Sequence, residues 1–181
     1  MRAFWRDKPL NAAEQALLRA VFAAHAVSAR RENISTFVLQ NAARGSGSYT
    51  QALAAALNSL GGPHAPVAAV MEFLDPPSQA MVEKYLEEGR KVPGWGNSFV
   101  KGQPDASWYW VDTILGEEWP ELARRMRQVT QRLHAAGKII FPNPGGYTGA
   151  AALALGLPKA VAPWLFVAGR LEAWTEIVLK S

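Results

Sequence analysis

The chain has no cysteine in 181 residues. That absence excludes a disulfide framework, thiolate catalysis and any cysteine-held metal, and no metal is expected. Long hydrophobic runs are missing too: no apolar stretch approaches the roughly 20 residues that span a bilayer. Met1 to Lys8 carries none of the apolar centre of a secretory leader. A cytoplasmic protein without a membrane partner is expected. The net charge is +4, yet no long basic run carries it. Arg30 with Arg31, Arg90 with Lys91, and Arg124, Arg125, Arg127 and Arg132 form scattered short groups. Such scatter fits anionic metabolites or solvated helix faces better than a nucleic-acid footprint, so no nucleic-acid partner is expected. Strand signals are confined to residues 138–141, and no repeat or low-complexity tract interrupts the chain.

What is present is helical period with frequent stops. Asn11 to Glu14 reads as a capping box that opens an apolar stripe of Leu17, Leu18, Val21, Phe22 and His25. His25 falls near that helix's end, where the protonated ring is favoured. Ile34 to Ala43 fits either a helix or a strand, ended by Gly45 and Gly47. Ser48 with Gln51 makes a second box before an alanine-rich helix from Ala52 to Leu60. Its small side chains suit burial or contact with a second subunit. Further helices are expected from His64 to Leu74, Gln79 to Glu88, Trp108 to Leu115, Pro120 to Ala136, Thr148 to Leu155 and Ala162 to Leu179. Residues 92–97 and 141–146 read as irregular loops by their prolines and glycines. His134, late on a basic helix, is expected to face solvent. The fold expected is all-α with about eight helices, as a single core over 1–181. A larger lobe would comprise 1–74 and 141–181, and a smaller one 75–140.

Three helix junctions carry candidate chemistry. Gly61-Gly62-Pro63 delivers His64 onto the start of an apolar helix, a setting that suits a hydrogen-bond donor to developing negative charge and equally an ordinary helix-start histidine. Pro93-Gly94-Trp95-Gly96-Asn97 and Pro142-Asn143 mark the other two. Leu165 to Leu171, with Arg170, follows late in the chain.

In this order, Gly62-Pro63-His64, Pro93 to Asn97, Pro142-Asn143 with Gly149, and Leu165 to Leu171 resemble the citrate synthase superfamily. Within it the citryl-CoA lyase type, as in the lyase portion of ATP-citrate lyase, is the closer likeness. Ala24 to Ala29 and Val100 to Asp105 add to it. The resemblance implies a citrate synthase-like helical domain with a small helical lobe, and a homodimer with central helices stacked across the two-fold. Its substrates would be a coenzyme A thioester as co-substrate and a small carboxylic acid, joined or cleaved at a carbon–carbon bond.

Site roles follow by the same resemblance. His64 would donate to the thioester oxygen, and His25 would bind the acid, with Arg30 as its rival. Arg170 would grip a carboxylate, as a planar guanidinium is shaped to do. Lys101 would lie near the coenzyme A phosphates, and the backbone of Pro93, Gly94, Trp95 and Gly96 against its adenine. The departures are as informative. Asn97 stands where the family has a second catalytic histidine, Gly145 where it has the carboxylate base, and Ala106 or Ser107 where it has another arginine. An asparagine donates a hydrogen bond but does not transfer a proton at neutral pH. Losing a general base costs roughly 100- to 10,000-fold in rate. Two functions stay open: an enzyme in which Glu172, Asp105 or Asp112 replaces the base, or a non-catalytic homologue that binds coenzyme A esters or acids or serves as a helical interaction protein.

Overall fold

The computed structural model describes residues 7–31, 34–60, 66–75 and 78–180. Nine α-helices and one short 3-10 turn are found among them. The first helix, α1 (Ala12–Ala29), opens on the expected capping box: Asn11 Oδ1 accepts the Glu14 N–H at 2.9 Å, and Glu14 Oε2 accepts the Asn11 N–H at 2.7 Å. Its buried face runs through Leu17, Leu18, Val21, Ala24, His25 and Ser28, the three- and four-residue spacing of one helix stripe.

The ambiguous segment is a helix, α2 (Ile34–Ser46). It continues through Gly45 and ends at Gly47, whose φ of 63° is the left-handed stop that glycine accommodates. Ser48 Oγ then accepts the Gln51 N–H at 3.4 Å and α3 (Tyr49–Asn58) follows. Leu39 of α2 and Ala52 and Ala56 of α3 meet Ala29, Ala173 and Trp174 in a small separate apolar cluster. Ala52 and Ala56 are thus buried within one chain, whereas Ala54 is exposed.

The main core joins α1 to α4 (Val67–Leu74), α5 (Ser78–Glu87), α6 (Tyr109–Glu118), α7 (Pro120–Ala135), α8 (Pro144–Ala154) and α9 (Pro163–Leu179). Apolar packing is continuous from Leu10 to Phe166 through residues 82–133. α4 lies directly on α8 because Gly149 has no side chain: a Cβ there would stand 2.6 Å from Val70 Cβ.

Three local expectations are corrected. Residues 138–141 form no strand; the sole extended pairing nearby is an isolated bridge between Trp95 and Pro142. Residues 144–146, read as irregular, are the first turn of α8. Pro144 at its start needs no N–H partner, and Asn143 caps the two amides that follow. His134 is also partly buried rather than solvent-facing, with Nε2 donating to the Ile140 carbonyl at 3.1 Å. Among the described residues, no helix is long and apolar enough to cross a membrane.

Candidate functional site

A cleft of about 290 Å³ opens where the end of α1 and the first half of α9 meet the start of α8. Three loop contacts shape its floor. Asn143 N–H donates to the Gly94 carbonyl at 2.8 Å, and Asn143 Nδ2 donates to the Gly96 carbonyl at 2.8 Å. Gly96 N–H donates to the Phe141 carbonyl at 2.9 Å. This approach requires Gly94: its φ is 81°, and a Cβ would fall 2.7 Å from Gly146 Cα. The Asn143 side chain spends its oxygen on the amides of Gly145 and Gly146, at 2.9 and 3.1 Å. One residue therefore caps α8 and ties the glycine loop to it.

The loop divides by direction. Gly96 and Asn97 line the cleft. Trp95 turns inward, 5% exposed, donates from Nε1 to Thr130 Oγ1 at 3.0 Å and meets the ring of Phe73. Pro93, Gly94 and Trp95 are not among the lining residues, nor is Lys101, which is exposed. Asn97 is held at both ends of its amide. Oδ1 accepts the Phe99 N–H at 2.9 Å, and Nδ2 donates to Asp105 Oδ2 at 3.2 Å.

Two guanidinium groups line the cleft, Arg170 and Arg31. Arg170, on α9, is 5% exposed; Nη1 donates to Ser35 Oγ at 3.0 Å, and the group lies over the Phe166 ring at 4.2 Å. Burial lowers its pKa to about 10, which leaves it cationic at neutral pH. Arg31 follows α1 and forms a two-pronged ion pair with Asp105, at 2.6 and 3.0 Å. Burial works to raise the Asp105 pKa, but hydrogen bonds from Arg31 and Ser107 outweigh it and hold the carboxyl below its ordinary value. Arg30, the rival for the acid, instead pairs with Glu176 at 2.8 Å on the exposed surface.

His25 does not line the cleft. It is fully buried behind Arg170, edge-on to the rings of Trp108 and Phe166. The expected preference for the protonated ring is reversed: burial first, and the Arg170 charge second, place its pKa well below 6.5. Gly169 leaves room for it, since a Cβ there would stand 2.7 Å from His25 Cβ.

His64, with Gly62 and Pro63, lies outside the described residues. Leu60 and Pro66, the nearest described residues on either side, both line the cleft. At Gly145, where a carboxylate base would stand, a Cβ would meet the Pro66 ring at 2.7 and 2.8 Å. Among the replacements, Asp105 is committed to Arg31 and Asn97, while Glu172 and Asp112 are exposed and outside the lining.

Sequence reasoning did not single out Arg31, Ser35, Phe166 or Thr148. Arg31 was visible as half of a basic pair, but helix period alone does not say which arginine turns inward at a helix end. Ser35 and Thr148 carry no local signal at all.

The model of the citrate synthase C-terminal domain family matches residues 2–180. No curated protein matches the chain at a meaningful level. Among solved structures, citryl-CoA lyase from Hydrogenobacter thermophilus superposes with a TM-score of 0.77 at 17% identity, over 96% of this chain and 71% of that one. Citrate synthase from Thermotoga maritima MSB8 gives 0.78 at 26% identity, over 91% and 48%. ATP citrate lyase from Methanothrix soehngenii, solved in complex with citrate and coenzyme A, gives 0.78 at 17% identity, over 97% and 32%. The chain thus spans about half the length of the citrate synthase and a third of the ATP citrate lyase.

Proposed function

The chain belongs to the citrate synthase family, and from that premise we propose that its cleft holds a small carboxylic acid beside a coenzyme A thioester, for formation or cleavage of a carbon–carbon bond. The observation that carries this reading is Arg170: a buried guanidinium, cationic at neutral pH, presented to a cleft of mixed polar and apolar lining at the start of α8. A carboxylate there gains a charge-assisted contact in a low-dielectric wall. Asn97 offers its fixed amide to a substrate oxygen, and His64 donates to the thioester oxygen as charge develops. Of the 93–96 loop and Lys101, only Gly96 lines the cleft, and its backbone is the part assigned to the coenzyme A end. α2 presents Ile34 and Phe37 to solvent, 47% and 60% exposed, and we assign this face to a homodimer.

A second reading, a non-catalytic binder of coenzyme A esters or acids, is favoured by one observation: Pro66 occupies the space a side chain at Gly145 would need. Titration calorimetry with citrate, oxaloacetate and acetyl-CoA, paired with a turnover assay, separates the two. Binding with turnover that His64→Ala abolishes supports the enzyme; binding without turnover supports the binder. Binding of none of these ligands overturns both. Arg170→Lys is expected to weaken acid binding about 10- to 100-fold, since a lysine cannot reproduce the planar two-pronged contact. Sedimentation that shows only monomer at micromolar concentration refutes the dimer.

A further inference from the structure

His25 and Thr148 stand behind the cleft and touch it only through others. Arg170 Nε faces His25 Nδ1 at 3.5 Å, and His25 Nε2 stands 2.7 Å from Thr148 Oγ1. Thr148 Oγ1 donates in turn to the Pro144 carbonyl at 2.6 Å. Both ends of this series, Arg170 and Pro144, line the cleft. Its middle is closed off: His25 and Thr148 are both 0% exposed.

The protons have one arrangement. A guanidinium nitrogen only donates, so His25 Nδ1 must be the bare, accepting nitrogen. Nε2 then carries the hydrogen and gives it to Thr148 Oγ1, whose own hydrogen goes to Pro144. Every donor meets an acceptor, and the opposite tautomer would set the Nδ1–H against the Arg170 Nε–H. The ring is also boxed by Trp108 and Phe166, and Gly169 admits its Cβ. Rotation is blocked.

We infer that His25 and Thr148 are positioning residues, a hydrogen-bonded relay that aims the Arg170 guanidinium at an acid in the cleft and joins it to the first turn of α8. The acid itself rests on the function proposed above; the relay does not. His25 touches no substrate and transfers no proton in this role. Because Pro144 is fixed by the same series, the acid-binding and helix-terminal walls of the cleft keep one spacing.

The test uses the whole chain. In ligand-free protein labelled with ¹⁵N-histidine, and with His25→Gln used to assign the signal, His25 is expected as the Nε2–H tautomer with Nδ1 unprotonated. An Nδ1–H tautomer overturns the relay whatever the protein binds. In calorimetry, His25→Asn keeps an acceptor near Nδ1 but loses the bond to Thr148, and is expected to bind citrate only severalfold more weakly than wild type. His25→Leu is expected to bind it about 10- to 100-fold more weakly, the scale of one hydrogen bond to a charged group. Acetyl-CoA affinity is expected to stay unchanged in both. Folded His25→Leu that binds citrate normally, or that loses both ligands equally, overturns the positioning role. If His25→Leu does not fold, Thr148→Val against Thr148→Ser decides: the serine is expected to preserve citrate affinity and the valine to reduce it severalfold, and equal affinities overturn the relay. Wild-type protein that binds no citrate overturns the acid-site reading, while the tautomer still decides the relay.

Discussion

Arg31 and Asp105 meet fork to fork across 74 positions of sequence, and the carboxylate side chain is 2% exposed. The same Asp105 Oδ2 receives the amide of Asn97. One acid therefore orders two cleft residues that come from separate segments. Asp105→Asn removes the counter-charge but keeps the shape, and about 1–3 kcal/mol of stability is expected to go with it. Urea unfolding measures the loss, and an unchanged midpoint contradicts the account.

Acid sensitivity follows from the same group. The folded-state pKa of Asp105 lies below its ordinary 3.8, so its ionised form favours the folded chain. That contribution is complete above pH 3.8 and is lost as the pH falls through the folded value. The difference in stability between wild type and Asp105→Asn is expected to shrink toward zero in strong acid.

His25 acts in a higher window. Unfolded His25 takes a proton below its ordinary 6.5, whereas the folded pKa lies well below that value. Stability is therefore expected to decline as pH falls from 6.5 toward the folded pKa, with a slope approaching about 1.4 kcal/mol per pH unit from this group. In His25→Asn that component should be absent, a comparison open to unfolding curves at pH 7.5, 6 and 5.

Restoring the missing carboxylate is expected to fail. Gly145→Asp would press its Cβ against Pro66 at 2.7 Å, at a cost of about 1–3 kcal/mol, and should yield no gain in turnover. A stable, active Gly145→Asp protein would show that the Pro66 wall yields.

Asn143 joins two structures, and its loss should be felt in both. Asn143→Ala removes the cap of two α8 amides and the tie to Gly96, and more than the usual cap penalty of about 1 kcal/mol is expected. Hydrogen exchange should speed up in residues 94–97 as well as at the start of α8; a change confined to α8 would refute the coupling.

Sequence reading succeeded where local chemistry decides structure. The Asn11–Glu14 box and the Gly47 stop both act within a turn, and each marks a helix boundary. It misjudged residues 144–146 because glycine and proline oppose helix interiors but not a capped first turn. For the site, Arg170 and Asn97 were legible from motif order and do line the cleft. The inward turn of Trp95 was not, because it depends on Thr130 and Phe73 from distant helices. Nor was the withdrawal of His25: only its partners 123 and 145 positions away show that it faces Thr148 and Arg170.

Those separations bear on when the cleft comes into being. Ser35 and Arg170 are 135 positions apart, so the early wall has no late wall to meet until α9 has been made. Closing so long a loop costs conformational entropy before any contact repays it, which slows folding. During synthesis, α1 and α4 to α8 can collapse on their shared core, while α2, α3 and the cleft wait for α9. The cleft is then completed late in the life of the nascent chain, after most of its core.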